Sequence, residues 1–409
     1  MNVVIFTLYK QHPISTWTLN ELDILSKYKI KFLLPYVTVS KSIKKQKGWE
    51  KYGSNFIYVR RCHLLVSEII YLFICQIKTL LKYPSRYIAV LLFIFSHFHW
   101  EYLLNFLKLT TVVQRIERFH PDLFYSHFHN NTYILAFIAA KFFRRKFGLV
   151  LHTTKPYKFD VSYVHSQASF IITKSEFVRQ DYQKRFPYIL PQKSITLSWG
   201  IDTQFFRPIT FSNKFNNNYP FIMLSVSRFV ETKGLVYLLK TCRLLTEEKV
   251  TYKCILIGDG PLKAMLNNYV NENKLSDHVK ILPALTHSAK FKKILDSANV
   301  FVLPSVIDAC GEYDLITNAV LEAMAMEKVV ITTKVTGVYE VAKDGESIIF
   351  CRDKYPKDLA EKIKIVMDMP EEKRRNIGRK ARQIVVEKFD KWKQGEKFVS
   401  FLRSQTHCQ

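Results

Sequence analysis

Acidic residues are scarce in this sequence of 409 residues. Asp and Glu together number 35, against 61 Lys and Arg, and the formal net charge is +26. An excess of this size favours three kinds of partner: nucleic acid, an anionic membrane surface, or phosphorylated substrates. No segment matches a recognised nucleic-acid-binding module, so we expect no nucleic acid partner.

Glycine and proline are also few. The counts of 12 Gly and 14 Pro, with 48% hydrophobic and 23% charged residues, are typical of a globular protein. At roughly 100–200 residues per domain, the length predicts two domains with room for an appendage.

Closely spaced cysteines are missing. The seven cysteines are an odd number, and their spacing fits neither a disulfide framework nor a zinc site. We therefore expect a reducing compartment, the cytoplasm. The run NVVIFTL after Met1 is too short for a signal-peptide core and lacks its basic flank, so no secretory signal is expected.

No apolar run reaches the roughly 18–20 residues of a membrane-spanning helix. The nearest are LLVSEIIYLFICQI (64–77) and YIAVLLFIFSHFHW (87–100), both interrupted by polar residues. Three interpretations stay open: helices buried or half-buried in the domain, a pair of monotopic helices on the bilayer surface, or a true membrane span. The monotopic interpretation draws on flanking cations suited to anionic headgroups: Lys78, Lys82, Arg86 and Lys108.

Strand-like and helix-like segments alternate along most of the chain. NVVIFTL, DLFYSHF and GLVLHTT read as short apolar strands, and after a polar stretch at 207–220 so do FIMLSV, KCILIG, NVFVLPS and KVVITT. Such alternation favours βαβ units and a parallel sheet covered on both faces. The second half therefore predicts a doubly wound nucleotide-binding domain, with its ligand beyond the carboxyl ends of the strands.

Two cations and two glycines follow predicted strands of this second half. SVSRFVETKGL places Arg228 and Lys233 five residues apart, and ILIGDGP places Gly258 and Gly260 in a tight turn. Cations at the carboxyl end of a strand can neutralise a departing diphosphate. Taken singly, the first loop also reads as a solvated basic loop and the second as an ordinary turn. Both, however, fall at the same edge of one predicted sheet.

The segment CGEYDLITNAVLEAMAM, residues 310–326, combines a loop acid with a helix acid. Thr317 is a good N-cap, so Asp314 would lie just before a helix and Glu322 about a turn and a half inside it. A helix N-terminus binds phosphate, and a nearby carboxylate can accept hydrogen bonds from both hydroxyls of a ribose. The pattern predicts a site for a nucleotide diphosphate carrying a sugar. The alternative is an Asp that complements the helix dipole and a Glu that faces solvent.

The order of these motifs resembles that of retaining glycosyltransferase family 4. SR-x4-KG, IGDGP, LPS, the D-x7-E spacing that ends in LEAMAM, and TGVYEVAKDG follow one another over most of residues 221–350. SHFHNNTYILAFIAAK, LVLHTTKPY and TKSEFVRQDY extend the similarity into the first half, and WGIDTQFFRP is similar to the family's domain junction. The set is most similar to the branch that builds colanic acid and related exopolysaccharides.

This resemblance implies a GT-B fold, an α/β architecture of two Rossmann-like doubly wound parallel-sheet domains facing a cleft. The expected divisions are an acceptor-side domain over 1–205, which contains the apolar helices of 64–105, and a nucleotide-sugar-binding domain over 206–385. A C-terminal helix over 386–409 would pack back on the first domain. No metal or other cofactor is expected, and the sequence leaves the oligomeric state open.

The resemblance also implies roles for individual residues. Arg228 and Lys233 would hold the donor diphosphate, Glu322 the ribose, and Asp314 the transferring sugar. The donor pocket would be completed by Gly258, Gly260, Leu315, Ile316 and Thr317.

Two histidines at strand ends need separate treatment. His152 stands where the family places a histidine that reaches the donor sugar near the reacting carbon. Without the family, it reads as a structural histidine at the end of a strand. His127 is the weaker candidate and reads as structural.

The expected activity is sugar transfer from a nucleotide-diphosphate sugar to a hydroxyl of a glycan or lipid-linked acceptor, with retention of configuration. It would serve cell-surface polysaccharide synthesis at the cytoplasmic face of an anionic membrane. Leu315 and Thr317 replace the usual Gly and Pro of the family loop. These departures leave open a nucleotide-binding scaffold of the same fold that has lost transfer.

Overall fold

The computed structural model describes residues 1–6, 16–36, 49–59, 66–97, 99–127, 132–152, 162–187, 194–198, 200–209, 220–309, 311, 313, 316–335 and 337–407. The chain forms two compact units, residues 1–199 with 394–409, and residues 200–393. The boundaries expected from the sequence are after residues 205 and 385.

The first unit is built on a parallel sheet. Its described strands are β1 (Asn2–Phe6), β2 (Lys31–Tyr36), β3 (Phe56–Tyr58), β4 (Leu123–His127), β5 (Lys146–Leu151), β6 (Phe170–Thr173) and β7 (Ser194–Thr196). They pair in the order β3-β2-β1-β4-β5-β6-β7, and each pair is parallel. Every residue of β4 is buried, which is expected of a central strand with helices on both faces of the sheet.

Helices connect these strands. They are α1 (Thr16–Lys27), α2 (Trp49–Tyr52), α3 (Val66–Lys82), α4 (Pro84–Ser96), α5 (Trp100–Thr110), α6 (Val113–Phe119), α7 (Thr132–Phe143), α8 (Ser162–Ser166) and α9 (Glu176–Arg185). In α7 all residues except Lys141 are buried, because this apolar helix lies between the sheet and α5. Among the described helices, none is both long and apolar enough to cross a membrane.

The second unit is built on a parallel sheet as well. Its strands are β8 (Phe221–Val226), β9 (Tyr252–Ile257), β10 (Val279–Leu282), β11 (Val300–Leu303), β12 (Val329–Thr333) and β13 (Ile349–Cys351). They pair in parallel in the order β10-β9-β8-β11-β12-β13. The strand order reverses between β8 and β11, and at such a switch point loops from neighbouring strands diverge and leave a ligand crevice.

Helices cover both faces of this second sheet. They are α10 (Leu235–Glu247), α11 (Lys263–Glu272), α12 (Ala289–Ser297), α13 (Asn318–Ala325), α14 (Pro356–Asp368) and α15 (Glu371–Lys388), with 3₁₀ turns at Glu231–Lys233 and Gly337–Glu340. The α/β architecture of two Rossmann-like parallel sheets that the sequence predicts is thus confirmed.

The last helix, α16 (Lys391–His407), belongs from residue 394 onward to the first unit. There the ring of Phe398 meets that of Tyr125, and the ring of Phe401 meets that of Phe170 edge-on at 5.5 Å. A Cβ at Gly395 would come within 2.8 Å of Ile24, so the absence of a side chain lets α16 approach α1 closely. These aromatic and glycine positions fix the helix on the first unit.

Candidate active site

The loop after β8 holds the two predicted cations. Arg228 is exposed, whereas Lys233 ends the 3₁₀ turn and is only 7% exposed. Gly234 follows with φ of +64°, and a Cβ there would lie 1.8 Å from the carbonyl oxygen of Pro304. Glycine therefore lets this loop lie directly on the loop after β11, where the N–H of Val306 also donates to the carbonyl of Thr232 at 2.9 Å.

The loop after β9 packs against the same segment through its glycines. A Cβ at Gly258 would lie 1.9 Å from the carbonyl oxygen of Ser227, and one at Gly260 would lie 2.6 Å from that of Phe229. The N–H of Phe229 donates to the carbonyl of Asp259 at 2.8 Å. Both glycines are thus required by the packing of one loop on the other. Contact of either with a ligand stays a prediction.

Helix α13 starts at the same edge of the sheet. Its N-cap residue Thr317 has an extended backbone, and its buried hydroxyl finds no hydrogen-bond partner in the described part of the chain. Ile316 is half-buried against the core, and a Cβ at Gly337, after β12, would be 3.4 Å from its Cγ1. The predicted site residues Asp314 and Leu315 lie outside the described residues. The start of α13, which follows the loop after β11, therefore lies next to the segment after β12.

Glu322 is buried inside α13, with 4% of its surface exposed. Its Oε1 lies 3.3 Å from Nε2 of His287, which follows β10 and is about one-third exposed. The His287 ring stacks on Phe291 and meets Phe206 edge-on. The solvent-facing Glu of the alternative interpretation is therefore wrong. The carboxylate is held from one side by a histidine that is itself fixed by two aromatic rings.

His287 is not among the site residues predicted from the sequence. The predicted strand HVKIL is followed by PALTHS, and a histidine just beyond the end of a strand is a feature that could have indicated a site residue. Nothing in the sequence places that loop opposite α13, because the two meet only through the order of strands in the sheet.

Buried hydroxyls are concentrated at the switch point. The side-chain oxygens of Ser225 and Ser227, at the end of β8, and of Ser305, after β11, have no hydrogen-bond partner among the described residues. Buried polar atoms are normally satisfied, and a hydroxyl can both donate and accept. Together with Arg228, Lys233 and the start of α13, they give this edge a cationic, hydrogen-bonding character suited to an anionic ligand.

A second polar cluster lies at the carboxyl edge of the first sheet. Nδ1 of His127, at the end of β4, is 3.0 Å from Nε2 of His152, just after β5. Nε2 of His127 is 2.8 Å from the carboxylate of Glu21 in α1, and the hydroxyl of Tyr125 donates to the same carboxylate at 2.6 Å. Glu21 and His127 are both almost fully buried. His152, half-buried at the strand end, is the outermost member of this chain of contacts.

Lys174, just after β6, lies near this cluster. Desolvation lowers the pKa of its ammonium well below the usual lysine value, and the charge of Glu21 opposes that shift in part. Burial therefore disfavours the charged form of Lys174 at the edge of the first sheet.

No group of three or more His, Cys, Asp or Glu side chains among the described residues is arranged to hold a metal ion.

Comparison with known proteins identifies the second unit. Residues 207–384 match the family model "Glycosyl transferases group 1". The colanic acid biosynthesis glycosyltransferase WcaL of Escherichia coli strain K12 is 29% identical over 185 residues, 45% of each chain. The amylovoran biosynthesis glycosyltransferase AmsK of Erwinia amylovora is 33% identical over 128 residues, 31% of each chain. The chain thus matches less than half the length of these curated relatives.

Among solved structures, Alr3699/HepE of Anabaena, crystallised with UDP and glucose, aligns over 98% of this chain and 99% of its own, with a TM-score of 0.71. At 16% identity this likeness shows the fold alone. That fold is the GT-B type predicted from the sequence motifs. The motifs, the family model and the fold agree: residues 207–384 match the glycosyl transferases group 1 family.

Proposed function

We propose that this protein transfers a sugar from a nucleotide-diphosphate sugar to a hydroxyl of a glycan or lipid-linked acceptor in cell-surface polysaccharide synthesis, with retention of configuration. One observation carries the proposal: Arg228, Lys233, the start of α13 and the buried Glu322 all belong to the carboxyl edge of one sheet. The names of WcaL and AmsK support an exopolysaccharide product, and the complex of HepE with UDP supports a nucleotide-sugar donor.

The edge of the second sheet suits the diphosphate. Arg228 and Lys233 offset the negative charge that develops on the phosphate as the sugar leaves, and the N–H groups of α13 add to that effect. Such groups stabilise the leaving group without a metal ion, because they are held in place before the reaction begins.

Glu322 suits the ribose of the donor. A carboxylate accepts hydrogen bonds at both oxygens, and a ribose presents two adjacent hydroxyl donors. Burial strengthens these hydrogen bonds because water does not compete for them. Contact of Asp314, Leu315, Ile316 and Thr317 with the transferring sugar or the phosphates completes the donor site in this proposal.

Retention requires departure and attack on the same face of the sugar. The bond between the anomeric carbon and the phosphate oxygen breaks, and the acceptor oxygen bonds to that carbon from the same side. The proton of the acceptor hydroxyl passes to the leaving phosphate oxygen, so no separate base or covalent intermediate is involved. His152 contacts the transferring sugar near the reacting carbon in this scheme.

A screen of UDP-, GDP-, ADP- and dTDP-sugars tests the proposal. A ligand at 100 times its dissociation constant adds about 2.7 kcal/mol of apparent stability, which raises the melting temperature measurably. We expect one nucleotide sugar to stabilise the protein and to release free nucleoside diphosphate. Stabilisation without release in the presence of candidate acceptors would favour the non-catalytic scaffold that Thr317 and Leu315 leave open. Absence of binding by every donor would refute the site.

A further inference from the structure

Helices α3 and α4 carry a concentration of exposed apolar side chains. Phe73 is 64% exposed, Leu81 77%, Leu92 64% and Phe95 71%. Of the eighteen large hydrophobic side chains that are exposed in the described residues, eleven fall within residues 69–100. Besides these four, they are Ile69, Ile70, Ile74, Ile77, Leu80, Ile88 and Trp100. We call these eleven side chains the apolar face. Monomeric soluble proteins rarely leave such a continuous apolar area in water.

The apolar face follows the helical period. In α3, residues 70, 73, 77 and 81 recur at intervals of three and four, and in α4 residues 88, 92 and 95 do the same. Such a spacing places the members of each set on one side of their helix.

The opposite sides of both helices are anchored inside the first unit. The side-chain amide of Gln76 donates to Thr110 of α5 at 2.6 Å, and the hydroxyl of Tyr87 donates to Gln76 at 2.9 Å. Thr79 and Val90 are buried on the same inner side. Because these contacts fix the inner sides, the apolar face points away from the core of the unit.

Cations border the apolar face. In α3, Lys78 and Lys82 are exposed, and helical geometry places them just beyond the apolar stripe. Arg86 of α4 is partly exposed and pairs with Glu117 at 2.9 Å. Trp100 offers an amphipathic ring at the end of the face. An apolar stripe with basic borders and an interfacial tryptophan matches an anionic bilayer in both charge and polarity, whereas a protein partner would need an acidic rim of its own.

The helices are too short to span the bilayer. At 1.5 Å per residue, the 17 residues of α3 and the 13 of α4 extend about 26 and 20 Å, below the hydrocarbon thickness of about 30 Å. We propose that α3 and α4 lie in the headgroup region of an anionic lipid bilayer, with the apolar face directed toward the acyl chains. The idea that this surface brings the protein to a lipid-linked acceptor rests on the proposed function. The binding of α3 and α4 to the bilayer does not.

Vesicle flotation of the full chain tests this docking surface. Vesicles of phosphatidylcholine alone are compared with vesicles that contain about one quarter phosphatidylglycerol. The variant F73S/L81S/L92S/F95S removes the most exposed side chains of the apolar face. Its matched control is Ile365→Ser on α14, which is 52% exposed in the second unit. Because all these side chains are exposed, we expect the melting temperature to be retained.

We expect wild type and Ile365→Ser to float with the anionic vesicles and the quadruple variant to lose at least tenfold in bound fraction. Lys78→Glu with Lys82→Glu should reduce binding to anionic vesicles only. Equal flotation of all variants would overturn the proposal. So would a lipid-free dimer that the quadruple variant converts to monomer, because the face would then bind a second copy. Donor binding is measured in parallel, so failure of membrane binding and failure of the proposed function are distinguishable.

A different observation, the buried contacts of His127, carries a second inference. Nε2 of His127 lies 2.8 Å from the carboxylate of Glu21, and because a carboxylate accepts hydrogen bonds, this contact favours a proton on Nε2 of His127. In the tautomer with its proton on Nε2, His127 presents Nδ1 as an acceptor, 3.0 Å from Nε2 of His152. We infer that Glu21 and His127 are positioning residues that hold His152 in the tautomer with its proton on Nε2 and a lone pair on Nδ1. Tyr125 and Lys174 are the other titratable groups near Glu21.

Imidazole ¹⁵N shifts test this assignment without any activity. The signals of His152 are assigned by their loss in His152→Gln. We expect the wild type to show a protonated Nε2 and Glu21→Gln to shift His152 toward protonation on Nδ1. In Glu21→Gln the amide donates to Nε2 of His127. His127 then carries its proton on Nδ1 and donates it to Nε2 of His152, which is the reverse of the wild-type direction. Tyr125→Phe is the matched control, because it removes a contact to Glu21 but leaves the carboxylate. An unchanged His152 tautomer in Glu21→Gln would overturn the inference.

If the proposed function holds, kcat should fall at least tenfold in Glu21→Gln with KM for the donor little changed.

Discussion

Nε2 of His287 lies 3.3 Å from Oε1 of Glu322, although the two residues belong to different segments of the second unit, the loop after β10 and the interior of α13. The histidine ring is in turn fixed against Phe206 and Phe291. The carboxylate therefore has a defined orientation before any ligand arrives. A group that is oriented in advance binds without the entropic cost of being ordered.

Replacement of Glu322 by Gln should weaken nucleotide binding by more than tenfold, at least about 1.4 kcal/mol. Gln keeps the size of the side chain and can still accept from His287, but it loses the charge and one acceptor oxygen. Isothermal titration of nucleoside diphosphate measures the effect. Glu272→Gln, an exposed position on α11, is the control that should bind as the wild type does. Unchanged affinity in Glu322→Gln would remove the ribose assignment.

Arg228→Ala and Lys233→Ala should each lower the transfer rate by about 100-fold, the usual loss when one preorganised donor to a developing charge is removed. The melting temperature of Arg228→Ala should be unchanged, because the side chain is exposed. Lys233 is buried, so Lys233→Met preserves its volume and separates lost charge from lost packing. Lys280→Ala, an exposed lysine of β10, serves as the control. Normal transfer by both cation variants would place the diphosphate elsewhere.

Gly258→Ala should destabilise the second unit by about 1–3 kcal/mol, the usual cost of inserting a methyl group where no space exists. Its Cβ would lie 1.9 Å from the carbonyl oxygen of Ser227. Gly337→Ala is the matched control, since its Cβ would make only an ordinary contact at 3.4 Å. Denaturant unfolding compares the two variants. Equal free energies of unfolding would show that the loops after β8 and β9 can separate at little cost.

Lys174→Met should raise the melting temperature near neutral pH. The folded pKa of Lys174 is lowered by desolvation, so the unfolded chain binds more protons between that pKa and the ordinary lysine value of about 10.4. The wild type therefore gains stability as pH rises through this window, and the advantage of Lys174→Met should shrink toward pH 10. Lys184→Met, an exposed lysine on α9, should show neither effect. A lower melting temperature in Lys174→Met would mean that electrostatic attraction between Lys174 and the charge of Glu21 outweighs desolvation.

Several features of this protein follow from the sequence alone. Apolar strands of four to six residues alternating with amphipathic helices can satisfy their backbone and bury their side chains only as parallel sheets with helices on both faces, so the α/β fold was predictable. The carboxyl ends of parallel strands share one edge, which is why Arg228, Lys233 and Glu322 could be assigned to one site from their positions after strands or in the following helix.

Other features were decided by the tertiary structure. Glu322 contacts His287, and His127 contacts both Glu21 and His152. These contacts join loops and helices that come together through strand order and helix placement, and the spacing of apolar residues in the sequence does not specify either. Gly258 and Gly260 are predicted from the sequence as a tight turn in the donor-binding set, but the structure shows that the packing of neighbouring loops already requires them. The apolar stretch 64–77 has the same composition whether its stripe faces a core or a bilayer. The hydrogen bonds of Gln76 and Tyr87 fix the inner sides of these helices against the first unit. Because a helix buries only the side that packs against its neighbours, the apolar stripe must face outward.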